Sequence, residues 1–281
     1  MKRGKKDAKD VDVPGASGWR SSGAPHVCTI AAAVQGFPGF PLVVAANRDE
    51  VLDRPATPPF RWPGDVPFLA PRDDLAGGTW MGLNARGLFV GIANRFRSPR
   101  DRTRASRGHI VTRALAMPDV DALHRDLSAI DPRKFNAFHL FYADASGAAG
   151  VTWSDGEQLV QQRLGPGVHV VTERSFGADA VDRAETIVHR WPAPLADGSP
   201  DVPALQAMLS RHDERDPLGT ICIHLPQFNF GTRSSAILLL ARDLAGSRFW
   251  WAEGSPCQNP YVERSELVRA LISARAESPL R

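Results

Sequence analysis

The sequence predicts an α+β fold of stacked layers, with hairpin-forming strands and helices set apart from them in blocks. Three observations carry this. Apolar residues around Cys28 and again at 41–46 flank the turn-rich Gln35-Gly36-Phe37-Pro38-Gly39-Phe40, the pattern of a β-hairpin. A second hairpin is written at Trp80-Met81-Gly82-Leu83 and at 87–94, around the turn Asn84-Ala85-Arg86-Gly87. Helical periodicity appears only in separate segments, and the lack of regular helix–strand alternation argues against a dinucleotide fold.

In chain order, residues 1–27 come first. They are rich in Lys and Asp, then in Gly, Ser and Pro. With almost no apolar side chains to bury, residues 1–26 are expected to be disordered, a solvated or misassigned extension before one domain spanning 27–281. Residues 54–67, dense in proline, are expected to form a loop, because proline removes a ladder donor. Residues 106–129 are expected to be helical, with Ser106 as a cap and Pro118 as a break before a second helix over 120–130. Strands are expected at 135–143, 150–154, 158–163 and 168–172, and helices at 179–190 and 203–210. Strands at 220–223, 235–241 and 248–252 and a helix at 265–275 complete the chain. No internal repeat is present.

Composition narrows the function. The chain has 281 residues, a formal net charge of +3 and a pI near 9.0. Residues 1–27 hold six Lys/Arg against three Asp, leaving 28 cations and 28 anions in the remainder, so the basic pI belongs to the extension and implies no nucleic-acid partner. No apolar run approaches the roughly 18 residues of a membrane helix, and no apolar segment follows the basic start as a secretory signal requires. Three widely spaced cysteines, Cys28, Cys222 and Cys257, without a Cys-x-x-Cys, exclude a zinc site evident from spacing and fit a reducing, cytoplasmic compartment. Cys222 is read as core within an apolar strand and Cys257 as an exposed loop thiol. A Cys222-x-His224 pair could ligate haem iron, but strands often produce that spacing. His109, His124, His189 and His212 read as solvated.

The chemistry centres on Cys28 and on Asn47-Arg48-Asp49-Glu50, which the first hairpin would bring side by side. A thiol, an amide, a guanidinium and two carboxylates in one corner are the parts of a nucleophilic site. Valine is what GUG encodes internally, and bacteria also initiate at GUG with methionine. A start at Val27 followed by Met removal would leave Cys28 N-terminal. Its α-amine, with a pKa of about 7.7–8.0, could then act as base beside the thiol. Arg48 or Arg233 could lower the thiol pKa, although Arg233 could instead form a structural ion pair with Asp49. Asn94, at a strand end, is placed to donate to an oxyanion or to form a turn. Gly77-Gly78 lets the backbone pass close to another segment or to a substrate. Without a following Gly-Lys-Ser/Thr it is no phosphate loop.

Cys28-Thr29-Ile30, Ala45-Ala46-Asn47-Arg48-Asp49-Glu50, Gly77-Gly78-Thr79-Trp80-Met81-Gly82 and Phe230-Gly231-Thr232-Arg233-Ser234-Ser235 occur in an order that resembles the NRDE family, also called the transport and Golgi organisation protein 2 family. The resemblance runs from about Val27 to about Arg269. It implies a four-layer αββα sandwich of the N-terminal-nucleophile hydrolase type. By analogy with the related bile-salt hydrolase and penicillin V acylase group, it implies catalytic roles for Cys28, Arg48, Asp49, Asn94 and Arg233. Asn47, Gly78, Thr79 and Trp80 would contact substrate. The contiguous Asn47-Arg48-Asp49 departs from that group's Arg-Asn-x-Asp spacing, and on a regular strand Arg48 and Asp49 face opposite sides while Asn47 and Asp49 share one. The expected activity is hydrolysis of the amide bond of a small acylated substrate, with no required cofactor and no metal. The alternative is a non-catalytic carrier of haem or a lipid-like ligand.

Overall fold

The computed structural model describes residues 28–95, 100–176, 182–217 and 219–276. The extension at 1–27 and the start of the helix expected from 179 lie outside the described residues. The first hairpin forms as expected. Strand β1 (Thr29–Phe37) pairs antiparallel with β2 (Phe40–Val51), Thr29 opposite Asn47, and Gly39 at φ 78° closes the turn. The polar Asn47-Arg48-Asp49-Glu50 is therefore part of a strand, which runs five residues past the apolar run that announces it.

Seven strands build each of two antiparallel sheets. The second sheet runs in chain order through β3 (Ala56–Trp62), β4 (Phe68–Asp73), β5 (Met81–Asn84), β6 (Leu88–Asn94), β7 (Phe138–Asp144), β8 (Ala149–Ser154) and β9 (Leu159–Leu164). The first has the order β10 (Gly167–Val171), β1, β2, β12 (Phe230–Leu240), β13 (Arg248–Glu253), β14 (Val262–Glu263), with the two-residue β11 (His224–Leu225) paired to β12.

Side-chain alternation divides the core into layers. Ile30, Ala32, Val44 and Leu238 face Phe89, Phe141 and Leu83 across the space between the sheets. The alternate residues Ala31, Ala33, Val43, Ala45 and Ile237 pack under helices α3 (Asp182–Arg190) and α4 (Val202–Leu209). On the far side, Leu88, Val90, Leu140 and Tyr142 pack under α1 (Gly108–Leu115) and α2 (Val120–Leu127). The result is the αββα sandwich. Helix α5 (Ser265–Ala276) closes one end, placing Val268 and Leu271 in the layer between the sheets.

Three expectations fail. Residues 54–67 are not all loop, because β3 is an edge strand and accommodates Pro58 and Pro59 at a register shift between Thr57 and Phe60. Residues 220–223 are not a strand. They form a buried bend, with Cys222 N–H donating to the Arg211 carbonyl (2.8 Å) and Ile223 N–H to Thr232 Oγ1 (2.8 Å). Ser106 also does not cap α1 in the ordinary sense. Arg107 is the N-cap, and Ser106 Oγ accepts from Gly108 N–H at 3.3 Å. Asp119 caps α2 by accepting from Ala122 N–H. Among the described residues no helix is long and apolar enough to cross a membrane.

Candidate active site

The face rule for β2 decides the site. Ala46 belongs to the layer between the sheets and Ala45 to the layer under α3 and α4. Arg48 therefore shares the inner side with Ala46, while Asn47 and Asp49 share the helix side with Ala45. Cys28, at the head of β1, packs against the inner layer, and its Sγ lies 3.5 Å from the Asp49 carbonyl oxygen. Thiol and guanidinium thus face one small cavity, walled by Trp80, Met81, Ser234 and Trp251.

Arg48 is 6% exposed. Its guanidinium carbon stands 4.1 Å from the centroid of the Trp80 ring, and Nη2 is 3.6 Å from Glu50. Burial lowers its pKa and the Glu50 charge partly restores it; a guanidinium stays protonated under such shifts. Stacking over an indole is worth about 0.5–2 kcal/mol when partly desolvated. Glu50 also meets Arg54 (3.6 Å), which pairs with Asp73 at 2.7 Å, so a chain of alternating charges extends from Arg48.

Asp49 is 1% exposed. Its Oδ1 accepts from Thr232 Oγ1 at 2.6 Å, and its Oδ2 has no partner among the described residues. Burial pushes its pKa up to about 7, against the Thr232 hydrogen bond and the Arg183 charge, which pull it down. Arg183 is held in turn by Glu173 at 2.9 Å. The Cys28 thiol is pushed up to about 12 by burial and by the Asp49 charge, with the Asp49 carbonyl and Arg48 acting in the opposite direction. With Cys28 inside a peptide bond it rests as a protonated thiol at neutral pH.

The remaining expected residues divide. Trp80 walls the cavity. Asn47 lies at its edge, but its amide is committed: Nδ2 donates to the Leu209 and Ile221 carbonyls (3.0 Å each), and Oδ1 accepts from Ser235 Oγ at 2.6 Å. Thr79 Oγ1 donates to the Met81 carbonyl. The close approach made possible at Gly78 is to the backbone of Gly108, where an added Cβ would lie 2.6 Å from the carbonyl carbon. Asn94 ends β6 on the second sheet with the parity of Leu88, Val90 and Ile92, the face that packs under α1 and α2, and it is not among the residues lining the cavity. Arg233 is the extra residue in a bulge of β12 between Thr232 and Ser234. Its guanidinium donates to the Arg54 carbonyl at 3.4 Å, so the ion pair to Asp49 does not form, and Thr232 takes that carboxylate instead.

Thr232, Arg183 and Trp251 are the residues that sequence reasoning missed. Trp251 was findable, since in Phe249-Trp250-Trp251 alternation sends Trp250 under the helices and Trp251 between the sheets. Arg183 carried no signal, because its role depends on a helix packing across β2.

The family described as Transport and Golgi organisation 2 matches residues 27–250. The chain is 27% identical to the Transport and Golgi organization protein 2 homolog of Bos taurus over 233 residues, covering 72% of this chain and 83% of that one. It is 34% identical to the Homo sapiens homolog over 113 residues, 39% of this chain and 41% of the relative. Among solved structures, a variant of conjugated bile acid hydrolase from Clostridium perfringens superposes with a TM-score of 0.48 at 13% identity, over 85% of this chain and 93% of that one.

Proposed function

The chain belongs to the Transport and Golgi organisation 2 family, and from that footing we propose that it is a cytosolic N-terminal-nucleophile hydrolase cleaving the amide bond of a small acylated substrate, with Cys28 as nucleophile. One arrangement carries the reading: the Cys28 thiol and Arg48 face a small cavity, while on the other side of the same strand Asp49 keeps a buried carboxylate oxygen without a partner. An α-amine at Cys28 is a donor of the kind that oxygen lacks. It is also the base that a thiol with a pKa near 12 needs.

In the proposed reaction the α-amine takes the thiol proton and Sγ attacks the acyl carbonyl. A backbone N–H and Asn94 stabilise the oxyanion. The ammonium returns its proton to the leaving amine as the C–N bond breaks, leaving a thioester on Cys28. Water, deprotonated by the same amine, then releases the acid and regenerates the thiol. Asp49 orients the amine from the helix side. Arg48 and Arg233 supply positive charge at the cavity and its rim, and Trp80 supplies an apolar wall. Asn47, Gly78 and Thr79 hold those walls in place.

The carrier reading, for haem or a lipid-like ligand, draws on the apolar lining by Ile30, Met81, Ile92 and Trp251. One experiment separates the two. The protein is produced with translation starting at residue 27, its intact mass is checked for a first residue of Cys28, and it is assayed on a panel of N-acyl amides. Turnover that disappears in Cys28→Ala is the expected result. Turnover unchanged in Cys28→Ala overturns the nucleophile assignment. Absence of turnover together with saturable haem binding equal in both proteins favours the carrier.

A further inference from the structure

Outside the cavity, the remaining two cysteines do not behave as an inert core residue and an isolated loop thiol. Cys222 Sγ lies 3.6 Å from Cys257 Sγ and 3.4 Å from His224 Nε2, and His224 Nε2 lies 2.9 Å from Cys257 Sγ. The three ligand atoms close a triangle, all within 4.8 Å of one another. With Zn–S near 2.3 Å and Zn–N near 2.0–2.1 Å, a tetrahedral ion has S···S edges of about 3.8 Å and S···N edges of about 3.5 Å. Two of the observed edges already match to within about 0.2 Å. The third is short, and it involves Cys257, whose exposed side chain can rotate outward.

The three residues come from segments fixed by other contacts, as a preformed site requires. Cys222 is held by its N–H bond to the Arg211 carbonyl, and its own carbonyl meets His212 Nδ1 at 3.2 Å. His224 begins β11, locked to Gly231 on β12. Cys257 sits in a turn in which Gln258 and Asn259 N–H both bond the Ser255 carbonyl, and Ser255 Oγ bonds the Thr232 carbonyl. A carbonyl only accepts, so His212 carries its proton on Nδ1. Its ring stands edge-on to His224 at 4.4 Å between centroids. Cys222 is buried, His224 half-buried and Cys257 exposed, which leaves a path from solvent.

We propose that Cys222, His224 and Cys257 form a binding site for a thiophilic metal ion, Zn²⁺ being the expected occupant, with the fourth position open toward His212. Two soft sulfurs and one imidazole select such an ion over Mg²⁺ or Ca²⁺. On binding, each thiol releases its proton to solvent and coordinates as thiolate, and neutral His224 uses its Nε2 lone pair. The ion would tie the bend before β11 to the loop after β13. That bend supplies the Ile221 carbonyl that holds Asn47 and the Ile223 N–H that bonds Thr232, itself the partner of Asp49.

The test is titration of the reduced full chain with Co²⁺, whose tetrahedral ligand-field bands and sulfur-to-metal charge transfer report the ligand set, followed by displacement with Zn²⁺. The expected result is saturation at one ion per chain, bleaching by Zn²⁺, and a rise in melting temperature with Zn²⁺. Cys257→Ser, at an exposed position that leaves folding intact, should halve the charge-transfer intensity and weaken binding at least tenfold, as should His224→Gln. Cys28→Ser should leave the Co²⁺ spectrum and its stoichiometry unchanged, so the outcome is independent of the hydrolase reading. No saturable Co²⁺ spectrum, or one unaffected by Cys257→Ser, overturns the site. A Cys222–Cys257 disulfide forming in air with no Co²⁺ uptake by the reduced chain overturns it in favour of a redox pair.

Discussion

Asp49 is the residue at which burial and chemistry conflict most openly. A carboxyl with one hydrogen bond and one unpartnered oxygen holds its proton up to about pH 7, whereas in the unfolded chain it ionises near pH 3.9. Between those values the folded state binds more protons than the unfolded one, so stability falls as pH rises across that window. A shift of this size corresponds to a loss of roughly 4 kcal/mol across the window. We therefore expect the chain carrying residues 1–27 to melt at higher temperature at pH 5 than at pH 7, and Asp49→Asn to flatten that slope; an equal slope in both proteins would count against a protonated Asp49. A chain beginning at Cys28 is expected to weaken the effect. Its ammonium gives the carboxylate a partner, lowers the Asp49 pKa and makes the pH 5 to 7 slope shallower. Thr232→Val removes the other partner and should steepen it. The residue pattern Asn47-Arg48-Asp49 makes the opposed faces legible in the sequence, because strand alternation is local. That Thr232 rather than Arg233 meets Asp49 was not legible, since a one-residue bulge in β12 shifts the register between them.

At the scale of elements, the segment carrying Trp80 owes its position to a backbone contact. Gly78 and Gly108, the first residue of α1, approach so closely that a Cβ on Gly78 would meet the Gly108 backbone at 2.6 Å. Backbone cannot rotate away as a side chain can, so Gly78→Ala should destabilise by about 2 kcal/mol or more. For a domain of this size that is a drop in melting temperature of about 5 °C. Displacement of Trp80 should also reduce activity. Gly165→Ala, at a site where nothing lies within 4 Å of the new carbon, should leave the melting temperature unchanged. Equal effects of the two changes would show that the Gly78–Gly108 contact is soft. The elements that could be read from sequence are those whose signals are local: the β1–β2 and β5–β6 hairpins through their turns, and α1 and α2 through periodicity and the break at Pro118. Those that could not depend on partners. Strand β3 tolerates Pro58 and Pro59 because it has a neighbour on one edge only, and the apolar run at 220–223 bends because Arg211 and Thr232, outside the run on either side, take its backbone hydrogen bonds. Cys222, His224 and Cys257 fall in the same class, their spacing of 2 and 33 residues matching no metal motif while β11, β12 and the loop after β13 bring them together.

At the scale of the whole molecule, the cavity is not a groove on one sheet. Its walls come from both: Cys28, Arg48, Ser234 and Trp251 from one, Met81 and Ile92 from the other. Trp251 is both a wall and a part of the shared core, tilted against Trp80 at 6.5 Å and Phe249 at 6.4 Å, with its indole N–H donating to Glu253 at 2.9 Å. Each sheet keeps an outer layer under its own helices, but the larger shared layer is buried between the two inner faces, and opening the space between them exposes all of it to water. The two sheets should therefore unfold together. Trp251→Ala should cost about 3–5 kcal/mol through lost burial and the void it leaves. In urea it should lower the midpoint of one transition without changing its slope. Fluorescence and far-UV circular dichroism should trace the same curve. Two separated transitions, or a midpoint that moves for one probe alone, would mean that the sheets are stable apart and that the cavity can open without global unfolding. With one transition, the enlarged cavity of Trp251→Ala would still be closed on both sides, so under the hydrolase reading it should accept bulkier acyl groups while Cys28 and Arg48 stay in place.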